Sequence, residues 1–239
     1  MKFDTIIIGG GLSGYTAGIT LAKKGQKCLL ISVGQSALHF FNGSFELLNG
    51  ENPIDAIASL DEIHPYAKIG SQRVAELADM VKPMFAEMGV ETYGDAKKNH
   101  YRITPVGLLK QAWLTLDELA AVPAEGDKMP WKNVQVITIK GFLDFSPVFV
   151  ASNLAKRGMV ASLAEVTTPE LEKLRSNPSE MRATNIAKTL TGDALAAFAE
   201  AVNGAVDAKA EVVLLPAVFG VNDAEAGKAN QKAVKKPVK

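Results

Sequence analysis

Apolar and polar residues alternate along the chain in a pattern that predicts mixed strands and helices. Apolar runs at residues 3–8 and 27–32 flank a helical stretch, residues 12–24, that ends at Gly25. Residues 134–139 alternate at period two, as in a half-buried strand, and residues 211–216 form a short run typical of a buried strand. The strand, helix, strand order at the start predicts an α/β fold.

Helical signals occupy much of the remaining chain. We expect Asn52 to cap a helix over residues 53–60, and Ser71 to cap a longer helix that Pro83 kinks or divides. Another helix is expected from Ser146-Pro147 to about Gly158. Short strands are predicted at residues 101–104 and 112–115.

The second half of the sequence predicts a helix-rich segment. Thr168 and Thr191 each resemble the start of a capped helix, and Asn222 is expected to cap a last one. We therefore divide the chain into a first domain, residues 1–158, and a helix-rich cap or substrate segment, residues 159–204. Residues 205–239 are candidates to return to the first domain.

The glycines after the first apolar strand carry the strongest chemical signal. Gly9, Gly11 and Gly14 stand in GxGxxG order between a strand and a helix. In this order the first glycine permits a tight turn, the second lets the backbone approach a phosphate, and the third lets the helix pack closely on the strand. The helix N-terminus adds free N–H groups and a positive dipole end.

This junction predicts a Rossmann-like, doubly wound domain that binds the pyrophosphate of a dinucleotide or flavin. The alternative is a glycine-rich turn in an unrelated α/β protein. The predicted cofactor-binding residues of the loop are Gly9, Gly10, Gly11, Leu12, Ser13 and Gly14.

One part of the dinucleotide-binding pattern is missing. An acidic residue normally ends the second strand, about 20 residues after the glycines, and binds the adenosine ribose. Ser32 occupies that position here. Ser32 is a cofactor-binding candidate, and the usual acidic contact to the ribose is missing.

Composition narrows the class of protein. The 239 residues are 47% hydrophobic and carry 26 basic and 26 acidic side chains, so no net field favours nucleic acid. Cys28 is the single cysteine, which excludes an intrachain disulfide and a CxxC site, and no metal-ligand spacing is found. Without a signal-peptide pattern or an apolar stretch of ~18 residues, we expect a cytoplasmic protein that reaches membranes only through a partner.

A second tract points to a particular family. Residues 34–48, GQSALHFFNGSFELL, together with the glycine loop, resemble the B subunit of anaerobic glycerol-3-phosphate dehydrogenases. The resemblance continues at His64-Pro65-Tyr66, at residues 104–107 and at residues 141–145. It covers most of the chain, and the 34–48 tract is its specific part.

The resemblance implies a flavoprotein subunit, usually one carrying FMN, with FAD as the alternative. Such a polypeptide works with a homologous, FAD-containing A subunit in oxidising sn-glycerol 3-phosphate to dihydroxyacetone phosphate. An iron–sulfur C subunit passes the electrons to membrane quinone in anaerobic respiration, at the inner face of the cell membrane. Because FMN has no adenosine ribose, Ser32 is compatible with it. The family is longer than 239 residues, so we expect an N-terminal fragment that lacks parts closing the flavin site.

Oxidation of a secondary alcohol needs a base and a cation for the substrate phosphate. His39, in the loop after the second strand, is the candidate catalytic residue and flavin neighbour, and a structural histidine is the equal alternative. Arg102, beside His100, is the candidate for the substrate phosphate, although a surface arginine is the more frequent case. Gly43 and Ser44 could donate to flavin or phosphate, or be turn residues.

Three alternatives remain open at this point. The chain could be another FAD-dependent oxidoreductase of the same superfamily. It could instead be a structural or electron-relay subunit while the A subunit performs the chemistry. It could also be a cofactor-free interaction protein in which the glycine loop is only an element of the fold.

Overall fold

The computed structural model describes residues 1–34, 41–117, 119–123, 129–219, 230 and 234. Contacts group the chain into two units, Met1–Ser44 and Phe45–Lys239, and each is described by itself. The strands are β1 (Thr5–Ile8), β2 (Cys28–Ile31), β3 (Ser44–Phe45), β4 (Thr92–Gly94), β5 (His100–Ile103), β6 (Leu109–Ala112), β7 (Leu114–Leu116), β8 (Ala121–Pro123), β9 (Asn133–Ile139), β10 (Val160–Val166) and β11 (Val212–Leu214). The α-helices are α1 (Leu12–Lys23), α2 (Pro65–Ile69), α3 (Ser71–Asp79), α4 (Val81–Glu87), α5 (Pro147–Ala155), α6 (Pro169–Arg175), α7 (Ala183–Thr189) and α8 (Gly192–Ala205).

The first unit contains the predicted strand, helix, strand arrangement. Strands β1 and β2 pair in parallel, with Thr5 opposite Cys28 and Ile8 opposite Ile31. The helix between them ends beside Gly25, whose φ of 81° reverses the chain into β2. This confirms the pattern predicted from the apolar runs.

Although the first strand is apolar, only one of its faces is covered. Ile6 and Ile8 are 59% and 88% exposed. Ile7 points the other way and lies against α1, where a Cβ at Gly18 would be 3.4 Å from its Cδ1. Since β1 alternates between two faces and α1 covers one of them, only one side of the strand is packed.

The second unit contains a three-stranded parallel sheet in the order β10-β9-β11. Strand β9 runs through α5 into β10 on one side, and the chain returns through α6, α7 and α8 to β11 on the other. The face of β9 with Val134 and Val136 packs on α5, and the face with Ile137 and Ile139 packs on the later helices. The half-buried strand predicted at residues 134–139 is therefore a central strand buried on both faces.

Strand β10 was not expected inside the helix-rich segment. Its sequence, VASLAEV, contains alanine, leucine and glutamate, which favour helices. Parallel pairing with all seven residues of β9 outweighs that preference. After β10 the segment is helical as predicted, and Thr168 caps α6 by accepting a hydrogen bond from Leu171 N–H.

Two polar side chains form hydrogen bonds that connect β9 to the elements paired beside it. Gln135, 3% exposed, donates from Nε2 to the carbonyl of Ala205 and accepts from the N–H of Asp207. Glu211 accepts from the N–H groups of Lys132 and Asn133, and these hydrogen bonds lower the pKa of its carboxyl group. The end of α8 and the start of β11 are thus both held to β9.

Two small sheets precede the parallel one, in the orders β3-β7-β4 and β6-β5-β8. Strand β7 pairs antiparallel with β4, and β5 pairs antiparallel with both β6 and β8. The strand predicted at residues 112–115 is divided by Trp113, which is 5% exposed and packs with Leu114 and Phe45. Its N–H donates to the carbonyl of Phe45 at 3.0 Å. Trp113 is therefore a core residue that separates β6 from β7.

Local signals placed most helix starts correctly. Asn52 Oδ1 accepts from the N–H groups of Ile54 and Asp55 before a short 3-10 helix. The helix predicted from Ser71 is divided at Met80, three residues before Pro83, because proline is tolerated only in the first turn of a helix. Thr191 precedes α8 without a side-chain cap. The cap predicted at Asn222 lies outside the described residues.

His100 is a buried titratable group of the second unit. It is 3% exposed, and its Nε2 lies 2.7 Å from Thr115 Oγ1. Gly94, with a φ of +105°, makes room for the ring, since a Cβ there would stand 2.9 Å from His100 Cε1. Burial, and then the charge of Arg102, lower the pKa of His100 to about 4. The ring is therefore neutral at pH 7.

We predict that this histidine makes the second unit less stable in mild acid. Between pH 6.5 and about 4 the unfolded chain binds a proton that the folded chain excludes. The free energy of unfolding should therefore fall as pH falls through that window, by up to about 3 kcal/mol. Urea unfolding at pH 7 and pH 4.5, followed by fluorescence of Trp113 and Trp131, measures the effect.

The matched variants are His100→Gln and His64→Asn. His100→Gln should remove most of this pH dependence, because a neutral amide replaces the titrating ring. His64→Asn keeps an acceptor for the Tyr66 N–H that His64 Nδ1 now binds, and should leave the pH dependence as it is. Equal pH dependence in His100→Gln and the unaltered chain would contradict the assignment.

Candidate cofactor-binding site

The glycine loop is a tight turn held between the two parallel strands of the first unit. The N–H of Gly9 donates to the carbonyl of Ile31 at 2.8 Å, which ties the loop to the end of β2. Gly9 has a φ of +111°, a conformation that side-chain-bearing residues rarely adopt. The first glycine of the pattern is therefore required by the turn itself, as predicted.

The third glycine lets α1 approach the turn. A Cβ at Gly14 would stand 2.0 Å from the carbonyl oxygen of Gly9 and 3.5 Å from Ile7 Cγ2. Any side chain there would push the helix off the strand. Gly14 is thus confirmed as the residue that permits close packing of helix and strand.

The second glycine faces open space. A Cβ at Gly11 would meet no heavy atom within 4 Å, and the same is true at Gly9. Gly11 has φ −84° and ψ 179°, an extended conformation that alanine can also adopt. Because neither the turn nor the packing demands a glycine at residue 11, the open space beside it is the feature that a ligand would use.

The start of α1 has the properties of an anion site. Its first intrahelical bond runs from the N–H of Tyr15 to the carbonyl of Gly11, so the N–H groups of Leu12, Ser13 and Gly14 have no helical acceptor. No side chain caps this end, and its first turn contains no acidic residue. Positive dipole, free donors and absent side chains together suit a phosphate.

Ser32 lies beside the loop, as its place in the sequence predicted. A Cβ at Gly10 would stand 2.6 Å from Ser32 Oγ and 2.8 Å from its Cβ. Gly10 is buried, so the second strand and the loop are in direct contact at this point. Ser32 presents a hydroxyl group where an acidic residue is usual, and no charged group replaces the missing carboxylate at this position.

These residues fit a flavin or dinucleotide phosphate. The two open glycines leave a cradle that side chains would fill, and the helix start supplies the donors. The structure brings together all seven predicted residues of the glycine loop and the second strand, namely Gly9, Gly10, Gly11, Leu12, Ser13, Gly14 and Ser32.

The other predicted site residues lie elsewhere in the chain. Gly43, with a φ of 78°, and Ser44 belong to a turn in which Ser44 N–H donates to Asn42 Oδ1. His39 lies outside the described residues. Arg102 is half-buried on β5, in the other unit, and its burial lowers the pKa of its guanidinium group.

Two residues that support the site were missed by the sequence interpretation. Gly18 continues the close contact between α1 and β1, and the four-residue spacing from Gly14 was its signal. Asn42 fixes the turn at Gly43, and the Asn-Gly pair was its signal.

Within the described residues, no helix is both long enough and apolar enough to span a bilayer. The same part of the chain contains no cluster of three or more histidine, cysteine, aspartate or glutamate side chains suited to a metal ion.

Comparison with curated proteins finds relatives that align with the whole chain or nearly all of it. The chain is 41% identical over 250 residues to the B subunit of the anaerobic glycerol-3-phosphate dehydrogenase of Yersinia enterocolitica, with 100% of this chain and 58% of the relative covered. Proteins with the same name are 34% identical in Pectobacterium atrosepticum, over 100% of this chain and 59% of the relative, and 37% identical in Actinobacillus succinogenes, over 93% and 55%. The chain thus spans little more than half the length of these relatives.

No solved structure matches the chain with statistical significance. Residues 4–236 match a family model described as an FAD binding domain. That match covers the glycine loop, Ser32 and both parallel sheets. With the strand, glycine loop and helix geometry described above, it shows that the chain belongs to the FAD-binding domain family, with an α/β flavin-binding fold.

Proposed function

We propose that this chain is the flavin-binding part of the B subunit of an anaerobic glycerol-3-phosphate dehydrogenase. The observation that carries the proposal is the open helix N-terminus at Gly9, Gly11 and Gly14. The names of the relatives supply the substrate, and the family match supplies the flavin.

The residues of the glycine loop have defined roles in this proposal. The N–H groups of Leu12, Ser13 and Gly14 bind the cofactor phosphate, and Gly11 leaves room for it beside the backbone. Ser32, in contact with Gly10, offers its hydroxyl group to the cofactor. A bound flavin supplies the two-electron acceptor that oxidation of a secondary alcohol requires.

FAD is the flavin that the family match favours. FMN, implied by the resemblance, has no support from that match. The missing carboxylate at Ser32 makes the ribose contact of FAD different from the common one, since a hydroxyl group binds a ribose with a single neutral hydrogen bond.

Substrate and partners follow from the same proposal. Oxidation of sn-glycerol 3-phosphate to dihydroxyacetone phosphate removes two electrons and two protons. A homologous, FAD-containing A subunit would share that work, while an iron–sulfur C subunit would pass electrons to quinone at the inner face of the cell membrane. His39 stays the candidate base and Arg102 the candidate for the substrate phosphate. Mutation of these two residues distinguishes a catalytic role for this chain from a non-catalytic, electron-relay role.

The first experiment identifies the cofactor. The protein is purified from its own gene and denatured, and the released flavin is separated by chromatography. Titration of the apoprotein with FAD and with FMN is then followed by flavin fluorescence. We expect FAD to be released and to bind more tightly than FMN. Tighter binding of FMN would restore the cofactor implied by the resemblance, and binding of neither flavin would overturn the proposal.

Alanine at Gly11 should weaken cofactor binding without harming the fold. The added methyl group meets no protein atom but occupies the space that the phosphate needs, so the Kd for FAD should rise at least about tenfold. The thermal unfolding temperature of the apoprotein should not change. Calorimetric titration and circular dichroism measure the two quantities.

Two further variants serve as comparisons for Gly11→Ala. Gly14→Ala places a methyl group 2.0 Å from a backbone oxygen, so it should lower both FAD affinity and the stability of the first unit. Gly204→Ala, in α8 with open space around it, should change neither. Normal FAD binding by Gly11→Ala would show that the loop does not hold the cofactor.

Arg102→Gln tests the substrate-phosphate role in the assembled dehydrogenase. Loss of a charge-assisted hydrogen bond to phosphate should raise KM for glycerol 3-phosphate roughly tenfold to a hundredfold, with a smaller effect on kcat. Arg73→Gln is the control, because exposed Arg73 pairs with Glu76 on its own helix. An unchanged KM in a folded Arg102→Gln enzyme would exclude the role.

A further inference from the structure

Strand β10 forms one edge of the parallel sheet in the second unit. It pairs with β9 along Val160–Val166, and no other described strand lies on its outer side. Val160 is 60% exposed and Leu163 is 47% exposed. Natural sheets protect such edges with proline, bulges, charged side chains or a covering helix or loop. This strand has no proline, its register with β9 is unbroken, and its one charged residue, Glu165, lies near its end while leucine is at its centre.

The hydrogen-bond ladder identifies which backbone groups face outward. Val160 N–H donates to the carbonyl of Lys132, and the carbonyl of Val166 accepts from Lys140 N–H. In a parallel pair, alternate residues direct both backbone groups to the same neighbour. The even-numbered residues of β10 therefore bond to β9. Ala161, Leu163 and Glu165 direct their N–H and C=O groups to the open edge.

These three residues match a second copy of the same strand in one register. In an antiparallel arrangement centred on Leu163, Leu163 stands opposite Leu163 of the other copy, and Ala161 stands opposite Glu165. Each of these pairs exchanges two hydrogen bonds, so every outward group finds a partner. A shift by one residue would place inward groups against outward ones and leave the ladder unmade.

Side chains agree with this register. The two half-exposed Leu163 side chains meet at the axis, on the sheet face that packs on α5. Glu165 of each copy lies opposite an alanine, and the two glutamates are separated by roughly 14 Å, beyond the screening length in physiological salt. Each glutamate lies near the start of the other copy's β10, and two exposed cations, Lys156 and Arg157, precede that start in the sequence.

We propose that β10 pairs antiparallel with β10 of a second copy of this chain, about a two-fold axis at Leu163, and joins two three-stranded sheets into one. The interface is isologous, so it closes after two copies. It lies entirely in the second unit and does not involve the glycine loop, so it stands independently of the proposed function.

Disulfide cross-linking tests the register. In a Cys28→Ser background, Leu163→Cys places two thiols on Cα atoms about 5.5 Å apart, within the range that a disulfide spans. Mild oxidation should give a product of twice the mass on a non-reducing gel. Ser162→Cys should not cross-link with itself, because residue 162 stands opposite residue 164. A mixture of the Ser162→Cys and Ala164→Cys chains should cross-link.

Charge variants test the association itself by analytical ultracentrifugation. Ala161→Glu puts a second carboxylate opposite Glu165 at two symmetric places, so the dimer Kd should rise several-fold. Ala161→Lys puts a cation in the same places, so the Kd should fall several-fold. Leu163→Lys places two cations at the axis and should abolish the dimer. Ile63→Lys, at an exposed position just before α2 and not on the helix that packs on β10, is the control and should leave the Kd unchanged.

Three results would overturn the proposal. The first is a monomer at every concentration with no cross-link at residue 163. The second is equal cross-linking of the Leu163→Cys and Ser162→Cys chains, which indicates random collision. The third is a dimer whose Kd responds identically to Ala161→Glu and Ala161→Lys, which places the interface elsewhere. The two Ala161 variants keep the test valid if Leu163→Lys unfolds the chain.

Discussion

The close approach of Gly14 to the carbonyl of Gly9 is the contact on which the first unit depends. It holds the start of α1 against the turn that leaves β1, so the residues with free N–H groups follow directly on the open space at Gly11. A side chain at residue 14 would separate helix and turn, and this arrangement would be lost. Backbone geometry, with no charged side chain in the loop, is therefore what makes this junction suited to an anion.

Strand β9 has the corresponding role in the second unit. It is paired on both edges and packed on both faces, and its Gln135 side chain also bonds to the end of α8. The parallel sheet and its two apolar clusters are thus built around one strand with almost no exposed surface. Substitutions in β9 therefore affect two strand pairings and two apolar clusters together, whereas those in β10 affect one strand pairing.

The sequence correctly predicted the elements whose formation depends on residues close together in the chain. The glycine loop, the Thr168 cap of α6 and the start of α5 at Pro147 were correctly placed, because each depends on residues within one turn of the chain. Strand β10 and the burial of β9 could not be predicted from the sequence, since both depend on partners distant along the chain. The position of Arg102 likewise depends on an antiparallel sheet, and no local pattern predicts how deeply it is buried.

The order of strands in the parallel sheet also has a consequence for folding. Strand β9, α5 and β10 are consecutive, so they can assemble from contacts that are short in sequence. Strand β11 pairs Val212 with Val134, across α5, β10 and the three later α-helices, and closing that long loop costs more entropy and takes more time. During synthesis the side of β9 that β11 will cover is therefore open, and Gln135 lacks its acceptor at Ala205. An unpaired strand edge and a buried amide without its partner therefore persist until α8 and β11 have been made, which is the stage at which the chain is most open to wrong pairing.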